Sequence, residues 1–192
     1  MTPIIVPKAF TTKQCEDIIS FRSVWIESIG SVYDDSRVYR DDGKGDQSTY
    51  SWIDSAMRDC IIYSPTLTEH IPNWLIKKVS ELISPVNKKE YNFDLGKAEL
   101  ELILLRYNLG GHFETHTDIG PISAKRKISF TLILNDSYEG GKLKIFGMKE
   151  IPNPEIGDMI LFPSYLDHKV EPVTSGVRWV LVGWILGDKQ FK

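Results

Sequence analysis

Residues 98–108, "AELELILLRYN", are the first of six short apolar runs that decide the fold of this 192-residue chain. The other five are 127–135, 142–147, 159–163, 168–173 and 177–186. Turn signals that contain glycine lie at the breaks, namely "NLGG", "SYEGG", "PEIGD" and "VTSG". Many short strands with glycine-rich turns are typical of a β-sandwich or a β-barrel. The second half of the chain is therefore predicted to be a jelly-roll-like β structure.

The first half of the chain predicts helices. Thr11 and Gln14 resemble a capping box, and the apolar spacing after them predicts a helix to about Ile29. Helices are also predicted over 49–63 and 73–83. The last of them has an apolar stripe and proline boundaries, formed by Pro72, Asn73, Leu75, Val79, Leu82, Ile83 and, just past its end, Pro85. A short edge strand is expected at Ile4–Val6, between two prolines.

The predicted fold class is α+β, with a jelly-roll core over residues 97–187 and a helical N-terminal layer over residues 1–90 packed on the sheet. We expect a single domain over residues 1–192, because the helices need the sheet in order to bury their apolar stripes.

Composition places the chain among soluble globular proteins. Its net charge is −3 and its pI about 5.8, without the basic stripe that nucleic-acid binders usually carry. No apolar run is long enough to cross a membrane, and the N-terminus does not resemble a secretory signal. Cys15 and Cys60 lack the spacing of a metal site or a disulfide framework. We therefore expect a cytoplasmic protein with no membrane and no nucleic-acid partner.

The segment "HFETHTDIG", residues 112–120, contains two of the four histidines of the chain. His116 and Asp118 are two residues apart, so on a strand their side chains point to the same side. His168 lies in a later strand-like run. Two histidines and one carboxylate on one face of an ion form the facial triad of non-haem Fe(II) oxygenases, although zinc hydrolases use the same ligand types.

Arg178 favours the iron alternative. We interpret "HKVEPVTSGVRW", residues 168–179, as a hairpin with its turn near Thr174–Gly176, which would place His168 and Arg178 on the same face. An arginine among the apolar residues of this strand is costly unless an anion pairs with it. A metal at His168 and the guanidinium of Arg178 would bracket a short dicarboxylate, because arginine binds carboxylates in a bidentate fashion. A structural bridge between Arg178 and a carboxylate is the alternative.

Taken in order, these motifs resemble the Fe(II)/2-oxoglutarate dioxygenase superfamily, and within it the prolyl-4-hydroxylase-like branch. The resemblance spans residues 97–187 and depends on "RYNLGGHFETHTD", "RKISFTLILND", "YEGGKLKIFG", "GDMILFPSYLDHKV" and "RWVLVGW". It implies that the jelly roll is a double-stranded β-helix. It also implies Fe(II) as cofactor and 2-oxoglutarate and O2 as co-substrates, with ascorbate as an optional reductant.

The resemblance implies a role for individual residues. The metal ligands, which are also the catalytic centre, would be His116, Asp118 and His168. Arg178 would bind the distal carboxylate of 2-oxoglutarate. Tyr107 matches a tyrosine that hydrogen-bonds the co-substrate, and Trp184 matches an aromatic residue of the same pocket. For Tyr107 and Trp184 a purely structural packing role is the alternative.

The chain departs from the family pattern at two positions. Ile133 stands where some relatives have a tyrosine that helps to hold the co-substrate. Trp184 follows Arg178 on the last strand, where the nucleic-acid demethylases of the superfamily usually have a second arginine. The first departure places more of the binding on Arg178 and Tyr107, and the second argues against a nucleic-acid substrate.

The sequence thus predicts a dioxygenase that hydroxylates a C–H bond while 2-oxoglutarate is decarboxylated to succinate and CO2. By resemblance, its substrate is a protein or peptide, and the hydroxylated residue a proline. Another amino-acid side chain or a free amino acid is the alternative, and the polar loop 34–47 and residues 119–127 are candidate substrate-binding segments. A catalytically inactive jelly-roll binding module and a zinc hydrolase are the competing interpretations.

Overall fold

The structure is a computed structural model that describes residues 1–30, 32–33, 51–67, 70–121, 123–147 and 153–191. The loop predicted over 34–47 lies outside the described residues. The helices and strands are β1 (Ile4–Val6), α1 (Thr12–Ser20), β2 (Ile26–Ile29), β3 (Val32–Tyr33), β4 (Ser51–Trp52), β5 (Arg58–Asp59), β6 (Ile61–Ser64), α2 (Asn73–Val86), β7 (Glu99–Tyr107), β8 (His112–His116), β9 (Arg126–Ile133), β10 (Tyr138–Gly140), β11 (Leu143–Ile145), β12 (Met159–Pro163), β13 (His168–Val170), β14 (Val173–Gly176) and β15 (Arg178–Leu186).

Two antiparallel sheets lie face to face and form the jelly-roll core. The major sheet has the strand order β1-β12-β9-β15-β7-β6-β2, and the minor sheet has the order β11-β13-β8-β5. Apolar side chains from both sheets form the core between them, among them Leu105, Ile133, Ile160 and Val180 of the major sheet and Ile145 and Val170 of the minor sheet. This arrangement confirms the predicted α+β jelly-roll class.

The helices cover the other face of the major sheet. Their buried residues are Cys15 and Ile18 of α1 and Leu75, Val79 and Ile83 of α2. They share one core with Leu104, Phe130, Leu132 and Leu181 of the central strands. Successive residues of a strand point to opposite faces, and the central strands are apolar on both because each face is covered. None of the described helices is long and apolar enough to cross a membrane.

The capping box at the start of α1 is confirmed. The Thr11 hydroxyl accepts from the Gln14 N–H at 3.2 Å, and the Gln14 side chain accepts from the Thr11 N–H at 3.1 Å. The expected continuation to Ile29 is wrong, because α1 ends at Ser20 and a short 3-10 turn leads into β2. β2 pairs with β6, so tertiary pairing decides the conformation of its β-branched residues.

The N-terminal region contributes strands as well as helices. The edge strand at Ile4–Val6 is confirmed, since β1 pairs with β12 at one edge of the major sheet. The helix predicted over 49–63 is wrong, because the described part of this segment forms β4, β5 and the start of β6. β6 pairs with β7 and β5 pairs with β8, so this segment joins both sheets.

α2 begins at Asn73 as predicted but does not end before Pro85. It runs to Val86, with Pro85 in its last turn, and continues as a π-helix over Asn87–Tyr91. A proline has no backbone N–H to donate. In the last turn, where the regular hydrogen bonding gives way to the π-helix, the missing donor is tolerated. The turn ends at Asn92 in a left-handed conformation with φ of 51°.

The predicted hairpin over 168–179 is wrong. β13 pairs with β11 and β8 in the minor sheet, whereas β15 pairs with β7 and β9 in the major sheet. β14, which lies between them in sequence, pairs with β10. His168 and Arg178 therefore belong to facing sheets and not to one face of a single hairpin.

Candidate metal centre and active site

Three potential metal ligands converge at one end of the minor sheet. One donor atom from each of His116, Asp118 and His168 lies within 4.8 Å of the other two. His116 ends β8 and His168 begins β13, and the two residues are direct partners in the register of these strands. Asp118 follows β8, and its N–H donates to the carbonyl of Ser164 at 3.0 Å, which ties it to the end of β12.

Backbone carbonyls orient both histidine rings. Nδ1 of His116 lies 2.7 Å from the carbonyl of Glu114, and Nδ1 of His168 lies 2.9 Å from that of Leu166. A carbonyl oxygen can only accept, so Nδ1 carries the proton and Nε2 of the neutral ring keeps its lone pair. This is the tautomer and the orienting contact that metal-ligating histidines have in proteins.

The Nε2 atoms face the carboxylate of Asp118. Nε2 of His116 lies 3.9 Å from Oδ1, and Nε2 of His168 lies 3.5 Å from Oδ2. Bonds of about 2.1 Å to one ion at right angles place neighbouring donors about 3 Å apart. The three side chains therefore need only a small inward movement to bind a single ion.

The ionisation of His116 and Asp118 suits a divalent cation. Burial and the neighbouring His168 together lower the pKa of His116 to about 3. Burial alone would raise the pKa of Asp118, but the two histidines, Ser129 and Trp184 together hold it below its usual value. Neutral imidazole and carboxylate are ligands of Fe(II), and they also fit zinc.

Aromatic rings enclose the histidines. The ring of Phe113 stacks on that of His116 at 3.5 Å between centroids and 18° between planes. The guanidinium of Arg58 lies over the same phenyl ring, 4.4 Å from its centroid. Phe162 approaches His168 edge-on at 4.8 Å. The ligands are thus held by packing as well as by hydrogen bonds.

Arg178 lies in the space between the sheets. Its side chain is 2% exposed, and its Nε and Nη1 donate to no described group. The guanidinium lies 5.3 Å from the ring centroid of Tyr107 and 5.9 Å from that of Tyr138. Buried donors without a partner are costly, so this guanidinium favours the entry of an anion.

Arg178 lines a cavity of about 670 Å³. Apolar walls come from Ile133, Ile160 and Ile145, of which Ile145 is the register partner of His168. The cavity thus extends from Arg178 to β11, the strand that pairs with β13. None of the three potential metal ligands lines it, but a 2-oxo dicarboxylic acid is small enough for this space.

Tyr107 lies beside Arg178, whereas Trp184 acts on Asp118. Tyr107 is 1% exposed and is the register partner of Arg178, and burial raises its pKa, so that its phenol is neutral. Trp184 acts on Asp118, whose pKa it helps to lower, although its buried indole N–H is not in hydrogen-bonding geometry with any described group. Neither residue lines the cavity beside Arg178.

Ser129 and Ser164 contact the site but were not among the predicted residues. The Ser129 hydroxyl donates to Oδ2 of Asp118 at 2.6 Å, and the two serine oxygens are 2.9 Å apart. Both serines are fully buried. The sequence signal that points to Ser129 is a hydroxyl within a mostly apolar strand, "KISFTLILN", because a buried polar group needs a partner. Thr131 of the same strand gives the same signal.

Comparison with known sequences agrees with this geometry. The model of the 2OG-Fe(II) oxygenase superfamily matches residues 102–186. A PKHD-type hydroxylase from Synechococcus sp. (strain CC9902) is 38% identical over 124 residues, which are 58% of this chain and 54% of that protein. Another from Rippkaea orientalis (strain PCC 8801 / RF-1) is 43% identical over 93 residues, 44% of this chain and 41% of that protein. The chain spans about half the length of the curated relatives it matches.

Solved structures share the fold. A Pseudomonas putida prolyl-4-hydroxylase superposes with a TM-score of 0.65 at 18% identity, over 97% of this chain and 93% of that one. A Trichoplax adhaerens prolyl hydroxylase, in complex with a hypoxia inducible factor peptide fragment, gives 0.71 at 16% identity, over 97% and 84%. At these identities the similarity establishes the common fold.

Proposed function

We propose that the chain, whose residues 102–186 match the model of the 2OG-Fe(II) oxygenase superfamily, is an Fe(II)- and 2-oxoglutarate-dependent dioxygenase that hydroxylates a C–H bond. One observation carries this proposal. A buried guanidinium whose Nε and Nη1 have no acceptor among the described residues projects from the major sheet, and two histidines converge with a carboxylate at the facing minor sheet. A structural arginine bridge does not explain that pairing, because Arg178 has no carboxylate partner among the described residues.

The triad would hold the iron through two Nε2 atoms and a carboxylate oxygen, from His116, Asp118 and His168. When bound, Fe(II) with 2-oxoglutarate and O2 supplies the oxidative decarboxylation to succinate and CO2 and the hydroxylation of the C–H bond. The carbonyls of Glu114 and Leu166 keep Nε2 of each imidazole unprotonated and directed inward. Phe113 and Phe162 limit water around the two rings.

Arg178 would bind the far carboxylate of 2-oxoglutarate. The apolar walls formed by Ile133 and Ile160 exclude water, and a charge-assisted pair is stronger in such surroundings. Tyr107, whose ring flanks the guanidinium, is the candidate neutral donor to the same co-substrate. Ile133 provides no hydrogen bond here, so the binding of the far carboxylate depends on Arg178.

The proposed substrate is a protein or peptide, and the hydroxylated residue a proline. The names of the relatives support this choice, since they are PKHD-type hydroxylases and prolyl hydroxylases. We propose a cytoplasmic location, which the two buried free thiols, Cys15 and Cys60, support.

Succinate release tests the proposal. The purified chain is incubated with Fe(II), 2-oxoglutarate, O2 and ascorbate, with and without proline-containing peptides. We expect succinate that depends on metal and a peptide mass gain of one oxygen. His116→Ala should abolish turnover. Arg178→Met should raise KM for 2-oxoglutarate by about 30-fold or more, because losing one partner of a buried charged pair costs about 2 kcal/mol or more.

Arg22→Ala serves as the control, because Arg22 is exposed and far in sequence from the site. Binding of 2-oxoglutarate without succinate would identify an inactive binding module instead. Zinc as the only metal in anaerobically purified protein, with no iron-dependent turnover, would contradict the dioxygenase.

A further inference from the structure

We propose that Ser129 and Trp184 form a pair of donors that fixes the orientation of the Asp118 carboxylate towards the two histidines, so that the metal ligands are positioned before an ion binds. The inference rests on the proposed function, because it assigns a positioning role within the same metal site. Ser129 and Trp184 come from two adjacent strands of the major sheet, β9 and β15. The metal ligands His116 and His168 come from the facing sheet.

Ser129 makes the shortest contact with this carboxylate. Its hydroxyl donates to Oδ2 of Asp118 at 2.6 Å, and its own exposure is zero. The single proton of this hydroxyl is used in that bond, so the Ser164 hydroxyl, 2.9 Å away, donates to the Ser129 oxygen. Ser164 also accepts from the N–H of Asp118 through its carbonyl. The two serines thus hold both the backbone and the side chain of Asp118.

Trp184 stands next to Ser129. The two residues are direct partners in the register of β15 and β9, so their side chains share a face. The buried indole N–H of Trp184 has no acceptor in hydrogen-bonding geometry among the described residues. The guanidinium of Arg126 lies 3.7 Å from its ring centroid and pairs with Glu101 at 2.7 Å, which fixes the plane of the indole. A small turn of the Asp118 carboxylate towards the metal gives this N–H its acceptor.

The hydrogen bond from Ser129 sets the direction of the carboxylate. Oδ2 of Asp118 accepts from Ser129 and lies 3.5 Å from Nε2 of His168, and Oδ1 lies 3.9 Å from Nε2 of His116. A carboxylate oxygen has more than one lone pair, so the hydroxyl orients Oδ2 without removing it from the metal site. A ligand whose orientation is already set loses less conformational freedom when an ion binds.

Cobalt(II) binding to the full chain, without co-substrate and without turnover, tests the inference. Calorimetry gives the affinity, and the absorption spectrum reports the coordination number. Ser129→Ala should weaken Co(II) binding by about 10- to 100-fold, the usual effect of losing such a supporting contact, and should change the spectrum. Ser129→Thr, which keeps the hydroxyl, should restore both. Trp184→Phe should weaken binding by up to about tenfold, whereas Trp179→Phe, on the opposite face of the same strand, should not.

Wild-type affinity and an unchanged spectrum in Ser129→Ala would overturn the inference while the proposed function stands. Failure of the wild-type protein to bind any divalent ion would instead refute the proposed function. If Ser129→Ala does not fold, Ser129→Cys replaces it, because a thiol has nearly the same volume but is a weak donor. Unchanged binding in both Ser129→Cys and Trp184→Phe would then overturn the inference.

Discussion

Replacing Arg178 with methionine is expected to stabilise the ligand-free protein and to remove most of its stabilisation by 2-oxoglutarate. The side chain is 2% exposed, and its Nε and Nη1 have no protein acceptor among the described residues. Leaving a buried donor unsatisfied costs about 1–3 kcal/mol, and apolar replacements of buried charged groups are often stabilising. Stability and co-substrate binding should therefore change in opposite directions.

The expected change is large enough to measure. Relief of the unpaired donors predicts a gain of about 1–3 kcal/mol in the free energy of unfolding. For a chain of this size, each kcal/mol raises Tm by about 2–4 °C, so Tm should rise by about 2–12 °C. For the wild type, 2-oxoglutarate at about 100 times its Kd should add about 2.7 kcal/mol, which is a similar rise. The variant, with an affinity about 30-fold weaker or more, should gain less than about 1 kcal/mol at the same concentration.

Scanning calorimetry with Mn(II), which avoids turnover, measures both effects in one experiment. Arg22→Met provides the control, and its stability should change by less than about 0.5 kcal/mol because Arg22 is exposed. A ligand-free Arg178→Met protein that is less stable than wild type would show that the guanidinium is satisfied within the protein. A normal rise with 2-oxoglutarate would show that this arginine does not bind it.

Acid should destabilise the metal-free protein through His116. Its pKa falls from 6.5 to about 3 on folding. The free energy of unfolding should therefore drop by up to about 1.4 kcal/mol per pH unit as the pH falls from 6.5 towards 3. Urea titrations measure this pH dependence, and an equally steep dependence in His116→Gln would refute the prediction. Gly141→Ala should lower the free energy of unfolding by about 1–2 kcal/mol, because φ is +59°. It should also weaken 2-oxoglutarate binding measured by calorimetry, because the new Cβ would lie 2.7 Å from Cδ of Arg178. Gly147→Ala, at φ of +74° with no atom within 4 Å, should leave that affinity unchanged, and equal losses in both variants would contradict the steric reason. Phe113→Leu should weaken Co(II) binding by about 3- to 10-fold, since a stacked ring pair contributes about 0.5–1.5 kcal/mol, and an affinity equal to wild type would show that the stack on His116 is incidental.

Strand positions in the second half could be predicted, whereas their partners could not. The central strands are apolar on both faces, so their runs stand out from the turns between them. Which strand pairs with which is decided by contacts far apart in sequence. The 168–179 segment shows this, because a local hairpin was the simplest interpretation and the chain instead crosses from one sheet to the other.

Apolar residues recur at helical spacing in the segment 49–63, over which a helix was predicted. Ile53, Met57 and Ile61 are four residues apart, but Ile53 is 60% exposed and Met57 38% exposed. Their spacing therefore reflects no buried stripe. Pairing with neighbouring strands decides the conformation of this segment, and the local pattern of apolar residues does not reveal which strands pair.

The site shows a similar division. The convergence of His116 and Asp118 could be predicted, because two residues at this spacing on a strand point to the same side. His168 and Arg178 then suggested a metal site. Ser129 could not be identified, since a serine has many roles and its importance depends on which atom it reaches. That atom, Oδ2 of Asp118, comes from a loop eleven residues earlier in the chain.

The order in which the strands are synthesised has a consequence for the newborn chain. β15 is the last strand of the major sheet in sequence, and it lies in the middle, between β9 and β7. Before β15 is available, the major sheet consists of two separate halves, each with an unpaired inner edge. One half contains β1, β12 and β9, and the other contains β7, β6 and β2. Such edges attract other strands, so a chain that lacks β15 is expected to aggregate more readily than the complete sheet. A side chain at Gly183, whose Cβ would lie 2.5 Å from both Leu102 and Phe130, would obstruct the joining of both halves at once.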